Sequence, residues 1–237
     1  MTGNDDNLPQ KSSRSDIDAF IKQVRSTPVV KTAGERGRLI FAMDATASRE
    51  HSWDRACQLQ GEMFRETAAL GGLDIQLCYY RGFHEFEASP WLSSSDELLK
   101  RMTSVFCRGG YTQIEKVLRQ AITQTKKKKV QALVFVGDCV EENVDRLCHV
   151  AGELGLLGVP VFMFQEGAEP RTQSAFKQIA QLTRGAYCPF DAASAGQLRD
   201  LLSAVAVYAA GGQAALENFS SNRSEVVRRL TRQMGGD

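Results

Sequence analysis

Short, unbroken apolar runs alternate along this chain with longer segments whose apolar positions recur at three- and four-residue spacing. Arg38–Met43, Val130–Val136 and Val159–Phe164 are runs of the first kind, as expected of strands buried on both faces. Pro160 is tolerable there because it lies near a strand's first residue. Leu73–Arg81 reads as a further strand, Glu85–Ala88 as a short antiparallel return after a turn at Gly82, and Ala186–Cys188 as a short last strand. The helical spacing covers Trp53–Leu70, Ser94–Cys107, Thr112–Gln124, Asn143–Leu156, Arg171–Thr183 and Ala195–Ala209. Gly71 and Gly72 stop the first of these, and the Ser94-Ser95-Asp96-Glu97 string caps the second. Strands separated by helices call for right-handed crossovers. The expected fold is therefore a doubly wound α/β sandwich over residues 36–210, with a mostly parallel sheet, one short antiparallel edge strand and helices on both faces.

The flanks differ in composition. Residues 1–13 are polar and read as a disordered lead-in. Residues 14–35 read as a helix and linker: Ser15-Asp16-Ile17-Asp18 resembles a capping box, Ile17, Phe20, Ile21 and Val24 form one stripe, and Pro28 ends it. Residues 211–237 are a polar tail, with one amphipathic turn around Val226, Val227 and Leu230. No internal repeat is visible.

Charge and cysteine usage narrow the function. Lys plus Arg total 29 against 28 Asp plus Glu, a net +1, which argues against a dedicated nucleic-acid binder. The first thirty residues lack an apolar secretory core, and no run reaches the length of a membrane span. A soluble, cytoplasmic protein is expected. The six cysteines form no C-x-x-C pair, so they read as free thiols of a reducing compartment rather than a zinc site.

In an open parallel sheet, ligands bind beyond the carboxyl ends of the strands, where strand order reverses. Asp44 and Asp138 both follow buried runs and would converge if those strands were neighbours. Two close carboxylates repel unless a cation joins them. A hard divalent ion such as Mg²⁺ would do so, with Mn²⁺ or Ca²⁺ as alternatives. Thr46 and Ser48 add hydroxyls at alternate positions of the loop leaving the strand, where short side chains keep the backbone near the ion.

Asp44-x-Thr46-x-Ser48 resembles the D-x-S/T-x-S signature of von Willebrand factor type A domains. The metal-ion-dependent adhesion site of that family is completed by a distal Thr and Asp, matched here by Thr112 after Gly109-Gly110-Tyr111 and by Asp138. The resemblance spans roughly residues 36–210 and implies a Rossmann-like fold and a metal site of Asp44, Thr46, Ser48, Thr112 and Asp138. In the family the hydroxyls bind the ion directly and the aspartates frequently act through water. One coordination position is left for an Asp or Glu of a partner protein. The resemblance thus implies a non-catalytic, metal-dependent interaction module. Cys139 follows Asp138 where many relatives have Gly.

Other residues attract blander readings. Asp44 and Thr112 also suit capping at strand-to-helix junctions. Glu141 and Glu142 read as charge favoured near a helix N-terminus, and Lys126–Lys129 as a solvated helix end. His51 and His84 have no partner at ligand spacing. Trp91 is placed on a loop, either as an exposed anchor or covering the core. The rival function is a Mg²⁺-dependent phosphohydrolase with Asp44 as nucleophile. Haloacid-dehalogenase-like phosphatases place an Asp after the first strand, but their second Asp two residues on is Thr46 here. A type A fold with an empty site is the third reading. Nucleotide binding lacks both glycine-rich signatures.

Overall fold

The computed structural model describes residues 36–67, 72–190 and 199–212, with further helical positions at 19, 214–215 and 218–219. The expected lead-in and, apart from Ala19, the expected N-terminal helix lie outside the described residues, as does most of the tail.

Six strands form one sheet: β1 Gly37–Asp44, β2 Leu73–Arg81, β3 Glu85–Leu92, β4 Ala132–Gly137, β5 Val161–Glu166 and β6 Ala186–Phe190. Their order is β3-β2-β1-β4-β5-β6, and only the β2–β3 pair is antiparallel. The helices are α1 Glu50–Thr67, α2 Ser95–Thr103, α3 Ile114–Lys127, α4 Val144–Leu156 and α5 Pro170–Leu182. A sixth, α6, occupies residues 199–212. A single 3-10 turn, Ala47–Arg49, links β1 to α1.

Every residue of β1 is buried, which is why it reads as an unbroken apolar run. Successive side chains point to opposite faces. Leu39, Phe41 and Met43 share one cluster with Trp53, Leu98 and Val205 from α1, α2 and α6. Ile40 and Ala42 belong to the other, with Val117, Val150 and Phe176 from α3, α4 and α5. β1 pairs with β2 on one side and β4 on the other, so strand order reverses between β1 and β4. Asp44 and Asp138 stand at that point.

Some expectations need correction. β3 continues past Ala88 to Leu92, with a register shift opposite Gln76 and Cys78. Pro90 does not end the strand, because an edge strand tolerates a residue without an N–H. Trp91 consequently lies on β3, not on a loop. Its indole Nε1–H donates to Gln124 Oε1 at 3.1 Å, and the Arg38 guanidinium sits 3.8 Å over its ring, so it covers the edge of the core. The helix opened by Ser94 ends at Thr103, and the next begins at Ile114 rather than Thr112. The lysine run is also mixed: Lys126–Lys128 are exposed, but the Lys129 ammonium donates to the Leu157 and Gly158 carbonyls at the end of α4, at 2.6 and 2.8 Å.

Candidate metal centre

β1 delivers Asp44 into a buried position in register with Tyr80 of β2. Asp44 Oδ1 accepts the Thr46 backbone N–H at 2.7 Å, and Oδ2 accepts the Tyr80 hydroxyl at 3.2 Å. The first bond is an Asx-type turn that redirects the chain out of the strand. Thr46 remains extended before the 3-10 turn and brings its Oγ1 within 3.3 Å of Ser48 Oγ. Ser48 Oγ in turn donates to Asp138 Oδ2 at 2.8 Å, from the end of β4. The first motif and the second aspartate are in direct contact.

Thr112 arrives on a third loop. Its N–H donates to Glu141 Oε2 at 2.8 Å, and its Oγ1 accepts the Glu141 N–H at 3.0 Å. A hydroxyl oxygen has a second lone pair, so this contact leaves it competent to bind an ion. The loop is pinned where Gly110 crosses the β2–β3 turn: a Cβ on Gly110 would lie 2.0 Å from the Gly82 carbonyl oxygen. Arg108 N–H donates to Ala45 O at 3.0 Å and Tyr111 N–H to Gly82 O at 3.3 Å, tying this loop to the one that follows β1 and to the β2–β3 turn. Asp44, Thr46, Ser48, Thr112 and Asp138 all line one cavity of about 230 Å³, with Gly109, Gly110 and Glu141 in its wall.

Burial pushes the Asp44 carboxyl up to about 6; the Thr46 hydrogen bonds pull against this, while the Asp138 charge adds to it. Burial, helped by neighbouring acidic groups, also pushes the Cys107 and Cys139 thiols up to about 11. Among the described residues no group of three or more His, Cys, Asp or Glu side chains forms a metal-ligand set. The convergent donors are three hydroxyls and two carboxylates, a set that fits a hard divalent cation.

Three neighbours of the site add to the sequence reading, which gives Glu142 as charge near a helix N-terminus and does not single out Tyr80 or Arg49. Tyr80 holds Asp44 from behind. Glu142 does lie near a helix N-terminus, but across the pocket at α3: its carboxylate accepts the Ile114 and Glu115 N–H groups, each at 2.9 Å. Glu142→Ala is expected to lower stability by about 1 kcal/mol. Urea denaturation gives that loss, and faster amide exchange at Ile114 would locate it at the start of α3. Arg49 is the third. Its side chain is wholly buried and ion-paired with Glu166 at the end of β5. Its one sequence signal is being the first long side chain after Ser48; nothing in the spacing shows that it turns inward. His51 is exposed, and His84 sits at positive φ in the β2–β3 turn.

Solved structures decide the fold. A von Willebrand factor type A protein from Catenulispora acidiphila superposes with a TM-score of 0.60 at 15% identity, over 73% of this chain and 43% of that one. The SpRpn10 VWA domain matches with a TM-score of 0.57 at 13% identity, over 71% of this chain and 94% of that one. The chain has the von Willebrand factor type A fold. A third similar structure is proximal thread matrix protein 1 from the mussel byssus, with a zinc-occupied MIDAS motif: TM-score 0.57, 14% identity, over 75% of this chain and 47% of that one. The chain spans under half the length of the first and third of these structures. No family model and no curated relative matches the sequence.

Proposed function

We propose that this type A domain is a non-catalytic, Mg²⁺-dependent protein-interaction module that works in the cytoplasm. The observation that carries the reading is the convergence of five oxygen donors, from three separately anchored loops, on one cavity. Thr46, Ser48 and Thr112 would offer their hydroxyls to the ion, and Asp44 and Asp138 would balance its charge. An ion held this way leaves room for a carboxylate from an Asp or Glu of a partner protein. The two structural relatives described as VWA domains, and the occupied MIDAS of the mussel protein, support a divalent metal and a binding role. Thr46 stands where a phosphohydrolase of the haloacid-dehalogenase type needs its second Asp, which supports a role without turnover.

The surroundings suit a protein surface. Phe83, Phe106 and Tyr111 are 69%, 77% and 59% exposed, and all lie on the two loops beside the cavity. The Phe83 and Tyr111 rings meet edge to face at 5.5 Å. Exposed aromatics next to a polar pocket are the usual anchors of a protein contact.

Calorimetric titration of Mg²⁺ into the wild type should give saturable heat that Asp44→Ala lacks. Equal, negligible heats for both would sink the metal reading. A Phe83→Ser/Tyr111→Ser variant should keep that heat, and its stability should stay within about 0.5 kcal/mol of wild type. It should nevertheless lose most Mg²⁺-dependent capture of the partner in a pull-down run with and without chelator.

A further inference from the structure

Thr112 reaches the cavity two residues before α3, at the end of a connection without regular structure. Gln113, at the N-cap position of that helix, turns its amide to the Arg81 and Glu85 carbonyls, at 3.4 and 3.3 Å. The N–H groups around the helix start are met instead by the loop that leaves β4. Glu142 takes those of Ile114 and Glu115, and Glu141 takes that of Thr112. The Glu141 contact runs both ways: its carboxylate accepts the Thr112 N–H while its own N–H donates to Thr112 Oγ1. This is the reciprocal arrangement of a capping box, formed here between two loops whose residues stand 29 apart in the chain. It closes only with the Thr112 side chain turned toward Glu141, so it holds one rotamer and occupies one lone pair of the hydroxyl oxygen. The other lone pair is left for the cavity that both residues line.

We propose that Glu141 is a positioning residue of the metal centre. Its clip sets the Thr112 hydroxyl at the cavity before an ion arrives, and it acts on the ion through Thr112, not as a ligand. The proposal rests on the metal reading above. Asp138 stands three residues earlier on the same loop, so one short segment fixes the spacing of a carboxylate and a hydroxyl donor drawn from distant parts of the chain. A donor held in place beforehand needs less ordering at the moment of binding.

The test uses the full chain with Glu141→Ala, Glu141→Gln, Thr112→Val and the Thr112→Val/Glu141→Ala pair. Mn²⁺ is the probe, read by the loss of its free-ion electron paramagnetic resonance signal. Glu141→Ala should bind Mn²⁺ about tenfold or more weakly than wild type, the usual loss when a ligand's supporting partner is removed. Glu141→Gln keeps an acceptor for the Thr112 N–H and should stay within about threefold, because an exposed charge alone contributes little. In the Thr112→Val background no hydroxyl remains to be positioned, so Glu141→Ala should cost less than about threefold more. Glu141→Gln as weak as Glu141→Ala, or a full further loss in the Thr112→Val background, would show that the carboxylate acts on the ion itself and overturns the proposal.

A second arm in chelator reads the clip without metal. Amide exchange at Thr112 should be about tenfold or more faster in Glu141→Ala, as expected for losing a bond to a charged acceptor, while the amides of β1 and β4 keep their rates. Unchanged exchange at Thr112 overturns the proposal, and so does a uniform speeding across the sheet, which would make Glu141 a general stabilising residue. Mn²⁺ uptake by the wild type that Glu141→Ala retains in full removes the positioning role alone. No uptake by the wild type removes the metal reading, and the positioning role with it.

Discussion

Asp44→Asn is expected to be more stable than the wild type in chelator, by about 2–3 kcal/mol at pH 7.5, and to lose every response to Mg²⁺. The gain follows from burial. Asp44 is held near 6 against an ordinary value of 3.8, so the folded protein binds its proton more tightly than the unfolded chain does. Stability from this group is present at low pH and drains away as pH rises from about 4 through 6. Above pH 6 the metal-free protein carries the full cost of a buried, repelled carboxylate. Asparagine keeps an acceptor for the Thr46 N–H and removes the charge. Thermal melts in chelator at pH 4.5 and 7.5 check the sign: wild type and variant should converge at the lower pH and separate at the higher. A variant less stable at both would show that the carboxylate is held by favourable bonds and not by force of packing. The same loss of metal response with gained stability is what separates a binding residue from a structural one.

The second large effect belongs to Phe135, on the face of β4 opposite α1. Its ring stacks on Tyr80 with centroids 6.2 Å apart and meets Phe176 edge-on at 5.5 Å. Phe135→Ala should cost about 3–5 kcal/mol, the usual loss for emptying a fully buried aromatic site. Tyr80 would lose one wall, and its hydroxyl is one of the two donors that fix Asp44. Mg²⁺ affinity should therefore fall with stability in Phe135→Ala. Phe176→Ala, which empties the far side of the same cluster, should lose comparable stability and bind Mg²⁺ nearly as wild type does. Urea denaturation paired with Mg²⁺ calorimetry separates the two. Equal affinities for both variants would show that Tyr80 is held in place without Phe135.

Most of the fold was legible because β1, β4 and β5 are buried on both faces and leave unbroken apolar runs that no amphipathic helix would show. β3 was half legible. It lies at an edge, packs on one side, and carries Pro90, so neither hydrophobicity nor propensity marks its second half. Asp44, Thr46 and Ser48 are a local string and could be found as one. Asp138 was legible from its place after a buried run, whereas Thr112 needed the family comparison to be chosen from other threonines; the structure places both within the same cavity. The inward turn of Arg49, and which helix start Glu142 serves, were beyond reach for a different reason. Their partners, Glu166 and the start of α3, come from distant parts of the chain, and the direction of a long side chain on a short turn leaves no trace in composition or period.

The prolines at the two borders of the sheet, Pro90 in β3 and Pro189 in β6, have a bearing on how this domain meets other molecules. Each removes a main-chain donor from an outermost strand, so neither border offers a continuous template on which another strand could be laid. Growth of the sheet by adding a neighbour's strand is thereby discouraged on both sides. What is left for company is the end of the molecule. On the function proposed above, recognition there is made by side chains and a bound ion, which can discriminate one partner from another in a way that backbone pairing cannot.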